Sequence, residues 1–326
     1  MKKRDLSDLA QKTNVSKATI SRALNHCPGV DHETRRRVLE AAGPPSPAAS
    51  EDDMVMILPD TPRYFWNPAF TELQAETAGL RRRFHLYSRL YDTDEVALYL
   101  DQAARHGTRL MLLSVADTPK TVSLLSEYAD HIPLFLLSEY LDIPGTFYIG
   151  SHAYEDGKRL GDAYLAHFCR YPRVVCISSD ANGNGRKRLE GFVETLAAKG
   201  DPPPRRIPLP LPGKSQSAQL ARQLHEIGPD KFDCIVCADG FLPQVCLAVQ
   251  KLGLHKKVIC MGFENPPGNR PYLESGLIAA YVAQDIVAQC RTAADLAKTF
   301  LDMGTYPPSK FTYCPSSLVI NPKAVE

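Results

Sequence analysis

From residue 54 onward the chain keeps one alternation, a short apolar run followed by a longer run with helical spacing. The strand-like runs are 54–59 (MVMILP), 84–90, 109–114, 133–138 and 147–150, then 174–179, 206–210, 234–238, 258–263 and 278–282. Helix-like runs separate most of them, at 68–80, 94–106, 118–129, 155–168, 186–199, 215–227 and 243–252, and a long one over 286–303 follows. Strands alternating with helices imply parallel sheets joined by right-handed crossovers. About ten strands in two runs predict an α/β body of two Rossmann-like lobes, not one sheet.

Ahead of this body lies a different pattern. Leu6, Leu9 and Ala10 recur at helical spacing and predict a first short helix. Lys12-Thr13-Asn14 breaks it, and Asn is one of the few residues besides Gly that tolerate a left-handed turn. Ser16 stands where an N-cap belongs, its hydroxyl able to accept an N–H from the next turn. A second helix runs from Lys17 to Leu24, with Ile20 and Leu24 inward and Lys17, Ala18, Ser21 and Arg22 outward. A third helix opens at Asp31 and buries Val38 and Leu39. Two helices across a tight turn, with a polar outer face on the second, form a helix-turn-helix, whose second helix meets base edges in the major groove.

The stretch VSKATISRALN at 15–25, then Val30 and ETRRRVLEAA at 33–42, resembles the head of the LacI/GalR family of bacterial transcription regulators. The resemblance implies a three-helix head over 1–43 and a two-lobed, periplasmic-binding-protein-like body over 54–326 that binds ligand and dimerises. It places base-reading side chains at Lys17, Ala18 and Arg22 and phosphate contacts at Thr19, Asn25 and Arg35, beside the capping Ser16. It also implies three chain crossings between the lobes, near Tyr154, Ala283 and Phe311.

Charge follows this division. Residues 1–42 hold nine Lys/Arg against five Asp/Glu, while the whole chain is only +1, so the body is mildly acidic. Positive charge gathered on the head suits a phosphate-binding module. Between head and body, the linker over 44–53 carries three prolines and the acids Glu51, Asp52 and Asp53, with no Arg or Lys. Family members usually form a hinge helix here; this stretch has neither the length nor the charge for one, and its acids are expected to be repelled by phosphates. No signal peptide or membrane-length apolar run is present, and nine scattered cysteines point to a reducing cytoplasm. Cys234 and Cys237 have metal-site spacing, but three residues apart on a strand they face opposite ways, which reads as core.

Family positions lining the ligand cleft fall on Arg188, in RLEGF, and Asp239. They also fall on Glu264, in GFEN where the family usually has Asp, and on Gln284. One cation, two acids and an amide suit a neutral sugar or polyol. The family's Asn before Asp239 is Ala238 here, and its Asp-Asn near the first crossing is His152-Ala153, with His152 the one histidine placed in the cleft. Trp66, in Tyr64-Phe65-Trp66 after the first strand, can stack on a sugar ring or pack the lobe. Asn182-Gly183-Asn184-Gly185 lacks the third glycine of a dinucleotide fingerprint and reads as a flexible pocket loop.

No nucleophile elbow, Walker loop or metal-ligand cluster is found, so neither enzyme nor cofactor is expected. The resemblance implies a cytoplasmic regulator, by family default a repressor. Its partners would be a pseudo-palindromic DNA operator, a small sugar-like effector and a second copy of itself. Without leucine heptads in SSLVINPKAVE, a dimer and not a tetramer is expected. Two alternatives stand beside this reading. One is a ligand-binding protein that has lost DNA affinity, the other an enzyme on the same fold.

Overall fold

The computed structural model describes residues 6–24, 30, 34, 37–38, 41, 52–60, 63–87, 93–180, 182–200, 202–210 and 215–325. The body is a two-lobed α/β fold with one six-stranded sheet in each of two compact units. One unit takes residues up to Gly150 and then Ile286–Thr312, the other Ser151–Asp285 and Tyr313–Glu326. The chain thus passes between units after 150, 285 and 312, within four residues of the crossings expected near Tyr154, Ala283 and Phe311.

The first unit holds the head and the first sheet. In the head, α1 (Leu6–Thr13) and α2 (Lys17–Leu24) bury Leu9, Ile20 and Ala23 with Val30 and Val38. Thr34, Arg37, Val38 and Ala41 are helical, as the third helix requires. The sheet contains β1 (Met54–Pro59), β2 (Arg82–Tyr87), β3 (Met111–Leu113), β4 (Leu134–Leu137), β5 (Phe147–Gly150) and β11 (Phe311–Tyr313), in the order β11-β5-β4-β3-β1-β2. The first five pair in parallel. MVMILP and LFLL are buried along their whole lengths, because helices cover both faces of such a sheet. On one face α4 (Thr93–Arg105) and α5 (Pro119–Ala129) supply Val96, Tyr99, Leu100 and Leu125. Elsewhere in this unit α11 (Ile286–Met303) packs on α3 (Arg63–Glu76) and reaches β4 and β5.

Helix α3 begins five residues before the expected start at 68, so Trp66 is helical and not in a loop. Pro68 lies inside the helix, where it removes one intrahelical bond. Trp66, Ala69 and Leu73 nevertheless form a buried stripe at helical spacing, and tertiary packing overrides the Asn-Pro turn signal. Of the expected linker, 44–51 lies outside the described residues. Asp52 pairs with Arg83 at 3.0 Å, and Asp53 with Arg81 at 2.9 Å and Arg109 at 3.7 Å, so these two acids engage arginines of their own unit.

The second unit contains β6 (Val174–Ser178), β7 (Arg205–Pro208), β8 (Cys234–Cys237), β9 (Ile259–Phe263), β10 (Ile278–Gln284) and β12 (Ser316–Ile320), ordered β12-β10-β9-β8-β6-β7. All pair in parallel except β12, which runs antiparallel to β10. The strands β11 and β12 lie outside the sequence-predicted set, since their half-exposed alternation resembles a polar tail. One face is packed by Leu160 and Tyr164 of α6 (Ala153–His167) and Leu189, Phe192 and Leu196 of α7 (Gly183–Ala197). The other is packed by Leu220 and Leu224 of α8 (Gln216–Ile227) and Val245 and Val249 of α9 (Leu242–Lys251), with Tyr272 and Leu273 of the short α10 (Arg270–Glu274) against them. Cys234 joins the first of these cores and Cys237 the second, on opposite faces of β8.

Helices α6 and α7 touch backbone to backbone at two glycines. A Cβ on Gly157 would lie 2.0 Å from the Arg188 carbonyl oxygen, and one on Gly191 would lie 2.1 Å from that of Tyr154. Neither oxygen can yield without moving a helix, so Gly191→Ala is expected to cost about 1–3 kcal/mol of unfolding free energy. Gly79→Ala, with nothing within 4 Å of its added Cβ, should stay within about 0.5 kcal/mol of the parent in the same urea titration.

Candidate functional site

The head is built as its sequence predicts at the turn. Asn14 adopts φ +52°, the left-handed conformation that lets α2 double back on α1. Ser16 Oγ accepts the Thr19 N–H at 3.1 Å and lies 2.8 Å from the Thr19 hydroxyl, so α2 is capped from its first turn. With Ile20 and Ala23 buried, Lys17 and Ala18 are exposed and Thr19 is half-buried. Arg22 belongs to α2 by its backbone; its side chain, like Asn25 and Arg35, lies outside the described residues. Arg37, which the sequence reading did not single out, donates to the Thr13 carbonyl and ties the third helix to the end of α1.

In the second unit, four expected site residues form one buried network. Arg188 comes from α7, Asp239 from the end of β8, Glu264 from the end of β9 and Gln284 from the last position of β10. The C-terminal ends of parallel strands are where open α/β sheets gather ligand groups. Nη2 of Arg188 donates to Glu264 Oε1 at 2.9 Å and Nη1 to the Ala238 carbonyl at 3.0 Å, while the guanidinium lies over the Phe263 ring at 4.5 Å. Gln284 completes the carboxylate with its amide at 2.6 Å and its backbone N–H at 3.3 Å. Glu264 itself sits at φ +66°. Its backbone is held by an N–H bond to the Val282 carbonyl at 2.8 Å and by the Asn269 amide on its carbonyl at 3.2 Å. Burial lowers the basicity of Arg188, but Glu264, Asp156 and Asp239 outweigh it and hold the cation more firmly than usual.

Asp239 accepts the Ser179 N–H at 2.8 Å and the Asn182 side-chain amide. Burial lifts its carboxyl to about 6 in spite of these donors and of Arg188. Asn182 also accepts the Gly185 N–H at 2.7 Å as the N-cap of α7. The Gly183-Asn184-Gly185 stretch is therefore the first helical turn and not a flexible loop, and Arg188 lies one turn inside the helix. Asp156 of α6 is buried beside this network, its Oδ1 taking the Ser316 hydroxyl and, at 3.5 Å, Arg159. Ser179, Asn182 and Asp156 are additions to the expected set. Asn before two glycines is a cap signal that could have found Asn182, which the sequence reading placed in a flexible loop, whereas Asp156 and Ser316, 160 residues apart, carry no local signal.

The two remaining expected residues are placed differently. Trp66 belongs to the first unit, 7% exposed on α3, edge-on to Phe65 at 5.1 Å. His152 caps α6, accepting the Glu155 N–H on Nδ1 at 3.4 Å, and its ring stacks on Tyr313 at 4.2 Å.

Residues 54–305 match the family of periplasmic binding protein domains, and residues 5–43 match the bacterial regulatory proteins of the lacI family. The chain belongs to the periplasmic-binding-protein-domain family and carries a lacI-family regulatory head. A transcriptional regulator of the LacI family from Silicibacter pomeroyi has a similar structure. At 17% identity and a TM-score of 0.68 it covers 99% of this chain and 100% of its own. GanP, a glucose-galactose binding protein from Geobacillus stearothermophilus, is similar at 18% identity and a TM-score of 0.73, covering 83% of this chain and 98% of its own. The Caulobacter myo-inositol binding protein, bound to myo-inositol, is similar at 19% identity and a TM-score of 0.72, covering 85% and 95%. These structures share the fold of the lacI-type chain. Among its described residues no helix is long and apolar enough to cross a membrane.

The lacI-type body depends on its buried ion pair. Glu264→Ala removes the carboxylate hydrogen-bonded to the buried Arg188 guanidinium and leaves it only the charges of Asp156 and Asp239, so unfolding in urea should show a loss of about 3 kcal/mol, the low end for a broken buried pair. Asp239 sets a pH dependence of the opposite sense to an ordinary paired carboxylate. Its folded carboxyl titrates at about 6 against 3.8 for a free aspartate, so the folded state binds the extra proton. Its contribution is fully present below about pH 4 and is lost as the pH rises through 6, about 3 kcal/mol in all. Stability of the parent relative to Asp239→Asn should therefore fall between pH 4 and pH 7, and a constant difference between the two proteins would refute the assignment.

Proposed function

We propose that the protein is a sequence-specific transcriptional repressor of the cytoplasm whose operator binding responds to a small sugar or polyol. The observation that carries the DNA-binding half is the Ser16-capped α2, which turns Lys17 and Ala18 to solvent over the buried Ile20 and Ala23. The N-terminal turn of such a helix reaches base edges when it enters a major groove. On this reading Lys17, Ala18 and Arg22 read bases, and Thr19, Asn25 and Arg35 meet phosphates around Ser16. Two copies of the chain place two heads on the half-sites of a pseudo-palindromic operator. The linker over 44–53 supplies no basic residue, so binding rests on the major groove and bends DNA little.

The effector half rests on Arg188, Asp239, Glu264 and Gln284, four polar groups converging on the ends of parallel strands. His152 of the same unit joins the proposed set of effector contacts. The similar structures named for glucose and galactose and for myo-inositol support a polyhydroxylated ligand. Gln284 stands one residue before the chain leaves the second unit after 285. A ligand that draws Glu264 away from Gln284 acts directly on that crossing, and a differential hold on two arrangements of the crossing is what allosteric coupling requires.

Gel-shift titrations on DNA from the protein's own promoter region test the repressor reading. A specific site should be bound with an affinity that falls as salt rises. Arg22→Ala should flatten the preference for that site over scrambled DNA by about 1–3 kcal/mol, the worth of one positioned Arg–guanine pair. Equal affinity of the parent protein for site and scramble would reduce the chain to a ligand-binding protein.

A further inference from the structure

Three carboxylates are buried around one buried guanidinium in the second unit. Glu264, Asp239 and Asp156 are 6%, 1% and 2% exposed, and Arg188 is 3% exposed. Glu264 takes Nη2 of Arg188 and the Ala238 carbonyl takes Nη1, which leaves Nε buried without a partner among the described residues. Asp239 is held by neutral donors, the Ser179 N–H and the Asn182 amide. Asp156 is held on Oδ1 by the Ser316 hydroxyl and by the half-exposed Arg159, and its Oδ2 is buried without a partner among the described residues. Both aspartates act on the charge of Arg188, so the four groups form one electrostatic unit.

The atoms left open define a chemistry. Nε of Arg188 calls for a lone pair, and Oδ2 of Asp156 calls for a donor. An anionic ligand is disfavoured, because it would bring a further negative charge beside three carboxylates already buried around one guanidinium. A neutral sugar supplies hydrogen bonds but leaves the surplus of buried negative charge in place. An ammonium group supplies three donors together with the missing positive charge.

We propose that the effector is an amine-bearing polyol, its ammonium set against Asp239 and Asp156 and a hydroxyl oxygen accepting from Nε of Arg188. This rests on the assignment of the Arg188 network as the effector site. The test uses the full chain at pH 7.5 and isothermal titration calorimetry. The probes are D-glucose, D-galactose and D-mannose, their 2-amino-2-deoxy counterparts, and their aldonic acids. At least one amine should bind tenfold or more tightly than its neutral parent, and the aldonates should give no heat. Asp239→Asn, and separately Asp156→Asn, should cut that amine-to-parent ratio below threefold, with melting of the ligand-free variants showing that each is folded. An unchanged ratio in both variants, or neutral parents binding as tightly as the amines, overturns the amine class. Binding by neutral sugars alone leaves the effector reading standing, whereas no heat from any probe overturns both.

Discussion

The second unit is arranged around the ion pair of Arg188 and Glu264. Taking both charges out of water costs several kcal/mol each, and their attraction offsets that only when the remaining donors and acceptors are met. Here the Ala238 carbonyl, the Gln284 amide and N–H, and the face of Phe263 meet most of them. The geometry in turn constrains the backbone. Glu264 must hold a left-handed conformation at the end of β9, and α7 must lie against α6 closely enough that Gly157 and Gly191 admit no side chain. Loss of either partner would strip the other of a direct charged hydrogen bond in the interior, so the network behaves as a unit and not as a set of separate contacts.

That interdependence marks the boundary of what the sequence discloses. Strand cores such as MVMILP and CIVC were legible because parallel strands buried on both faces are apolar throughout. Asn14 and Ser16 were legible because turn and cap chemistry are local. The start of α3 was not, since Tyr-Phe-Trp-Asn-Pro carries a turn signal that burial of Trp66 and Leu73 overrides. Nor were β11 and β12, edge strands whose alternation is half polar. Arg188 and Glu264 could each be named from their motifs, but separated by 76 residues they read as two groups waiting for a ligand. The structure shows that they first satisfy each other.

The acids beyond the head carry a similar lesson. Read alone, Asp52 and Asp53 extend an acidic linker that phosphates would repel. In the fold they meet Arg83, Arg81 and Arg109, whose positions are fixed by β2 and by the turn before β3. Arg81 binds Asp53 through its backbone N–H as well as its guanidinium, and it holds the Asp53 carboxyl below its ordinary range. The contacts of the body therefore begin two residues ahead of β1.

Neither unit is a continuous piece of chain, and this governs how the protein can be made. The first sheet is laid down by residue 150, yet α11 and β11, which pack on it and beside it, arrive only at 286–313. The second sheet likewise waits for β12 at 316–320. On the ribosome, both halves must persist with apolar surface uncovered while the intervening residues are synthesised, and they close at almost the same moment. A cut after residue 150 or 285 would release no self-sufficient domain, since each half is finished by a segment that belongs, in order of synthesis, to the far side of the other.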